Sequence, residues 1–184
     1  MLSKRDIRVK VKMAKSRLTA ENKLQESLNV FMQLENADVF QQSQNILLYY
    51  SLLDELPTHD VVARWSKTKN VFLPRVNGDM IDILPFDGQL STDNQYGICE
   101  PVGNKLMSPT IIDLVIVPAV AVDAQCNRLG RGRGFYDRLL PLCVNAKCVA
   151  VAFDCQFFTQ IPIDTHDFPM DEIFTPSHHY KRKK

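Results

Sequence analysis

A chain of 184 residues, 45% hydrophobic and 23% charged, has ordinary globular composition and enough length for one sizeable core. Its formal net charge of +1 gives the molecule as a whole no reason to seek nucleic acid or a membrane surface. No apolar run approaches the roughly 18 residues of a membrane span, and the charged start MLSKRDIRVK is no secretory leader, so the cytoplasm is the expected location.

Residues 4–34 carry no Gly or Pro, and Ile7, Val11, Ala14 and Leu18 recur at helical spacing, which predicts a first helix and, capped by Thr19, a second from about residue 20 to 34. A short helix before Gln44 is expected next. The apolar runs NILLYY at 45–50 and NVFLP at 70–74 read as strands, and residues 58–67 between them as a helix capped by Thr58. That order predicts a right-handed βαβ unit. Residues 80–84 form a weaker strand candidate, and 85–104 read as irregular. LVIVP at 114–118 is continuously apolar, as a parallel strand buried on both faces requires. A glycine-rich loop, a helix over 135–142 and a second buried strand, KCVAVA at 147–152, follow; the terminal HHYKRKK reads as a frayed, solvated tail. The alternation predicts one α/β domain over residues 1–184, a three-layer αβα sandwich with a mostly parallel central sheet and an N-terminal helical segment.

Cys99, Cys126, Cys143, Cys148 and Cys155 include no C-x-x-C pair, so they read as thiols in a reducing compartment, with Cys143 and Cys148 as small core residues.

The chemistry concentrates in DAQCNRLGRGRGFYDR at 123–138. Gly130, Gly132 and Gly134 alternate with Arg131 and Arg133 between a buried strand and a predicted helix, where ligands of open α/β sheets gather. Glycines admit an anion close to the backbone, and two guanidinium groups offer bidentate donors. The segment is built as a phosphate cradle, yet its glycine spacing matches neither the Walker A nor the dinucleotide fingerprint. A basic glycine loop that binds RNA is the rival reading of the same residues. Asp137 reads either as a helix-dipole carboxylate or as a Mg²⁺ ligand, and Asp171 either as a second ligand or as a turn residue. Lys4 and Arg8, four apart on the first helix, form part of a solvated basic face or reach a polyphosphate together. Glu55, just beyond a buried strand, contacts a substrate or caps the next helix. His59 and His166, without partners at metal-ligand spacing, read as surface or capping residues.

NRLGRGRGFYDR at 127–138 resembles the signature of the 5-formyltetrahydrofolate cyclo-ligase family. The basic helix with Lys4 and Arg8, YSLLDEL at 50–56, LPR at 73–75, GICEP at 97–101 and HDFPMD at 166–171 are similar to further family blocks in the right order. The resemblance implies an enzyme that binds ATP, Mg²⁺ and a reduced folate, and that closes 5-formyltetrahydrofolate to 5,10-methenyltetrahydrofolate with release of ADP and phosphate. It assigns ATP to Lys4, Arg8, Arg128, Leu129, Gly130, Arg131, Gly132, Arg133, Gly134, Phe135 and Tyr136. It places the folate against Tyr50, Glu55 and residues 131–135, Mg²⁺ on Asp137 and Asp171, and the chemistry on Arg131, Arg133 and Tyr136. A monomer without nucleic-acid or membrane partners is expected. Two departures stand out: Ala119 and Cys126 occupy positions where the family commonly has glycine. A non-catalytic domain that senses a phosphorylated metabolite is the alternative; it needs none of Lys4, Arg8, Asp137 and Asp171.

Overall fold

The computed structural model describes residues 2–92, 94 and 97–183. The helical start divides into α1 (Lys4–Lys15) and α2 (Ala20–Glu35), each begun by a capping box, from Ser3 with Asp6 and from Thr19 with Asn22. α3 (Asp38–Gln41) leads into β1 (Asn45–Leu48), and α4 (His59–Trp65) joins β1 to β2 (Asn70–Asn77). Thr58 does not cap α4 with its side chain. Its Oγ1 instead donates to Tyr49 O at 2.7 Å and accepts from Ser51 N at 3.0 Å, holding the turn beyond β1.

β3 (Met80–Pro85) folds back antiparallel on β2, and the stretch after it is irregular apart from the short pair β4 (Leu90–Ser91) and β5 (Glu100–Pro101). Asp93, Gln95 and Tyr96 of that stretch lie outside the described residues. β6 (Leu114–Pro118) is followed by the hairpin of β7 (Ala121–Asp123) and β8 (Arg128–Leu129). α5 (Phe135–Leu139) spans five residues and gives way to a 3₁₀ turn at Leu140–Leu142. The longer helix expected here stops because Pro141 cannot continue it. β9 (Lys147–Val151), β10 (Phe157–Phe158), β11 (Glu172–Phe174) and β12 (His179–Lys181) complete the chain. β12 corrects the reading of the tail: residues 179–181 pair antiparallel with β11, and a stack of Phe157, His178 and Tyr180 rings holds them.

The main sheet runs β12-β11-β9-β6-β1-β2-β3, parallel from β11 to β2 and antiparallel at both edges. Period-two alternation divides its side chains between two cores. Ile46, Leu48, Leu114 and Ile116 pack with Val30, Phe31 and Leu34 of α2 and Trp65 of α4. Leu47, Val115, Val117 and Ala150 face Leu139 of α5, Cys143 and the hairpin residue Val122. A third cluster sets Ile7 and Val11 of α1 against Ala121, Leu129 and Ile161. The apolar face of α1 thereby lies on the small sheet β10-β7-β8 and brings its basic residues to the C-terminal ends of the parallel strands. No described helix is long and apolar enough to cross a membrane.

Cys126 has φ 63°, the only positive φ among the described non-glycine residues. The left-handed region costs a side chain about 1–2 kcal/mol, and Cys126 is fully buried, so packing offsets the strain. Cys126→Gly should therefore leave stability within about 1 kcal/mol of the parent, whereas the β-branched Cys126→Val should lose more than about 2 kcal/mol. Urea denaturation of the three proteins checks the order.

Candidate active site

The chain ends of β1 and β6 open into a cleft of about 610 Å³, lined by Tyr49, Tyr50, Pro118 and Ala119 from the sheet, Lys4, Arg8 and Lys15 from α1, and residues 128–137. Its two ends differ in chemistry. Pro74, Val76, Ile81 and Ile98 make one wall apolar, and cations crowd the other.

The cationic end is built on the β7–β8 turn. Arg128 is 6% exposed, its Nη2 donates to Asp137 Oδ1 at 2.7 Å, and its guanidinium lies over the Tyr136 ring. Its buried Nε has no acceptor among the described residues, and buried donors are rarely left so without a ligand or water to meet them. Leu129, buried against α1, ties the loop to the helix. Arg8 Nε donates to Gly130 O at 3.0 Å. Gly132, at φ 103°, lies so close beneath Arg8 that an added Cβ would stand 3.3 Å from Nη2, so glycine here admits a guanidinium as well as an anion. Gly134 begins α5 in the left-handed region, and Arg133 lines the same wall.

Arg131 reaches back across the cleft to Asp54 Oδ1 at 2.5 Å and Glu55 Oε1 at 3.1 Å. Lys15 Nζ joins Asp54 from below, at 2.9 Å from Oδ2. Burial opposes ionisation of Asp54, yet the bonds from Lys15 and Arg131 outweigh it and hold the carboxyl below its ordinary value. Glu55 Oε2 also accepts from Leu52 N at 2.9 Å, so this carboxylate is fixed from two sides. Burial, then the charge of Glu55, raise the Tyr136 hydroxyl far above the ordinary tyrosine value, and burial raises Tyr49 likewise, so both stay protonated at neutral pH; the Tyr49 hydroxyl donates to Leu56 O at 3.0 Å. Tyr50 stands at the cleft edge with its ring stacked on His59, 4.0 Å between centroids. His59 Nε2 lies 2.9 Å from Ser51 O, so this histidine braces the wall.

The cleft thus assembles every residue the sequence assigned to ATP and folate, and Asp137 with them. Asp171 is not among the lining residues. It stands just before β11, where its Oδ2 accepts from Cys148 N at 2.8 Å and its Oδ1 lies 3.6 Å from Lys147 Nζ. Those partners sit at the N-terminal ends of the parallel strands, away from the ends that build the cleft. Lys15, Asp164 and Asp167 line the cleft, and Asp54 is tied to it through its ion pairs with Lys15 and Arg131; none of the four was singled out from the sequence. Asp54 adjoins Glu55 and Asp167 falls within HDFPMD, so proximity to known blocks was the available signal. His166 lies at the surface, its side chain 74% exposed, with Nε2 4.0 Å from carboxylate oxygens of both Asp164 and Asp167.

The 5-formyltetrahydrofolate cyclo-ligase pattern matches residues 1–176. The chain belongs to that family. It is 30% identical to the 5-formyltetrahydrofolate cyclo-ligase of Mus musculus over 93% of this chain and 92% of the relative. It is 32% identical to that of Haemophilus influenzae over 92% and 96%. An NMR structure of Aquifex aeolicus 5,10-methenyltetrahydrofolate synthetase has a TM-score of 0.88 at 30% identity, covering 98% of this chain and 93% of that one. A structure of the Mycoplasma pneumoniae 5,10-methenyltetrahydrofolate synthetase, at 20% identity and TM-score 0.78, covers 96% and 100% and shares the fold. The protein is an enzyme of the cyclo-ligase class, and its three-layer α/β architecture is that of its structural relatives.

In this cyclo-ligase the thiols divide by burial. Burial pushes Cys126 and Cys143 up to about 11 and Cys148 up to about 12, all three from within the same core cluster. Cys99 is partly exposed and lines the cleft. Iodoacetamide at about pH 8 should label Cys99 in the native protein and leave Cys126, Cys143 and Cys148 unmodified until denaturant is added, because the thiolate is the reacting form. Peptide mass spectrometry reads the pattern.

Proposed function

We propose that the enzyme closes 5-formyltetrahydrofolate to 5,10-methenyltetrahydrofolate at the expense of ATP, with Mg²⁺ bound, releasing ADP and phosphate. The observation that carries this reading is the convergence of Lys4, Arg8, Arg128, Arg131 and Arg133 on one glycine-bearing wall, with the buried Nε of Arg128 lacking an acceptor among the described residues. Five cations beside an apolar slot suit a polyphosphate next to a flat ring system.

In the reaction, the oxygen of the N5-formyl group attacks the γ-phosphorus and ADP leaves. N10 then bonds to the activated formyl carbon, and the C–O bond to phosphate breaks with loss of the N10 proton. Phosphoryl transfer demands alignment and charge stabilisation, and no side-chain nucleophile. Lys4, Arg8 and the 128–134 wall would grip the phosphates. Arg131 and Arg133 would meet charge that develops on the transferring group. Tyr136, protonated, would donate a hydrogen bond. Tyr50 and Glu55 would bound the folate, with Ile81 and Ile98 against its ring.

Asp137 fits a role as Mg²⁺ ligand: its bonds from Arg128 Nη2 and Phe168 N both end on Oδ1, which leaves Oδ2 as a ligand atom. Bound there, Mg²⁺ would screen the phosphate charges, and the ion commonly needs only one or two protein carboxylates beside phosphate and water. The strand contacts of Asp171 make it the weaker half of the pair that the family resemblance implies.

Purified protein with 5-formyltetrahydrofolate, Mg²⁺ and ATP should give the near-ultraviolet absorbance of the methenyl product, and none without ATP. An absorbance rise independent of ATP, or none from folded protein, overturns the reading and favours the metabolite-sensing alternative. Arg131→Ala should lower kcat/KM by about 10²-fold or more, in line with the loss of one preorganised charge donor. Asp137→Asn should remove the Mg²⁺ dependence of turnover along with most of the rate; an unchanged Mg²⁺ titration excludes it as a ligand.

A further inference from the structure

Lys4 begins α1, three residues from the start of the chain, and its long side chain has many rotamers to lose before it serves a ligand. The described fold restrains it through one loop. Lys4 Nζ lies 2.5 Å from Asp167 Oδ2 and 2.8 Å from Asp164 Oδ2. The two carboxylates differ: the Asp167 side chain is 18% exposed and that of Asp164 is 56% exposed, so solvent screens the second pair more strongly. Asp167 Oδ2 also accepts from Asp164 N at 2.7 Å, so the carboxylate is oriented by its own turn before Lys4 meets it.

The next residue extends the restraint. Phe168 N donates to Asp137 Oδ1 at 3.2 Å, and Asp137 in turn binds Arg128. The loop is anchored on either side of this step: Ile161 N donates to Asp123 Oδ2 at 3.1 Å, and Met170 N to Cys126 O at 2.9 Å. Both anchors lie on the β7–β8 turn that bears the cationic wall.

We infer that Asp167 is a positioning residue for the nucleotide end of the cleft, holding the Lys4 ammonium in register with Arg128 and Asp137 through the 167–168 step. The inference rests on the assignment of Lys4 to ATP under the proposed function. An ammonium has three donors; Asp167 and Asp164 take two, which leaves one for a phosphate oxygen. Asp167 acts through Lys4 and touches no reacting atom, so it belongs to the binding geometry of ATP and not to that of the folate.

The test is a double-mutant cycle on the full chain, with ATP affinity read by titration calorimetry and the Michaelis constant for the folate substrate read by absorbance. Lys4→Ala and Asp167→Asn should each weaken ATP about tenfold, the usual scale for one charge-assisted contact. The Michaelis constant for the folate should stay within about twofold, and the double variant should be no weaker than Lys4→Ala alone. Asp167→Glu, which keeps the charge, should recover part of the loss and supplies the answer if Asp167→Asn does not melt cooperatively. An ATP affinity unchanged or tightened by Asp167→Asn, or losses that add in the double variant, overturns the inference while Lys4 keeps its role. An unchanged affinity in Lys4→Ala overturns the inference together with the assignment of Lys4, and normal turnover of the folate would show that the reaction itself survives.

Discussion

A fully buried carboxylate holds the site together. Asp123, without accessible surface, takes four N–H bonds: from Gln125 N and Asn127 N on Oδ1, and from Asn127 Nδ2 and Ile161 N on Oδ2. A buried charge is tolerable only when its lone pairs are met in this way. Three of the four bonds close the β7–β8 turn, which aims Arg128 into the cleft and leaves Leu129 against α1. The fourth reaches the loop that carries Asp167. Hairpin, N-terminal helix and C-terminal loop therefore share one electrostatic anchor beyond the edge of the main sheet.

The cations of the cleft are engaged before any substrate arrives. Arg131 holds Asp54 and Glu55, Lys4 holds Asp164 and Asp167, and Arg8 holds a loop carbonyl. Preorganisation of this kind lowers the entropy lost when a polyphosphate is bound, at the cost of displacing or sharing the carboxylates. Arg128 differs, because its guanidinium is buried, aromatic-backed and, among the described residues, short of one acceptor. It is the group for which a phosphate oxygen brings the largest gain in satisfied hydrogen bonding.

The parallel sheet was legible because β1, β6 and β9 are short apolar runs with no other stable placement than between two packed faces. The cap of α2 is local and was equally readable at Thr19, whereas the one at Ser3 was not singled out. Three features were not. Thr58 has the residue type of a cap, yet burial directs its hydroxyl to Tyr49 and Ser51. Residues 179–181 are polar and charged like a tail, but they complete an edge strand beside β11 and find rings to stack on. The place of Asp171, just before β11 with its carboxylate on Cys148 N, could not be read from its residue type.

The sequence by itself determined the alternating α/β layout, the family and the glycine-arginine wall, since hydrophobic periodicity and a contiguous motif are local properties of the chain. Only the tertiary structure decided which carboxylates face that wall. Asp54 meets Arg131 from 77 residues away, and Asp167 meets Lys4 from 163 away. Ion pairs depend on distance in space, and the packing of α1 on the β7–β8 hairpin, which no local pattern encodes, sets those distances.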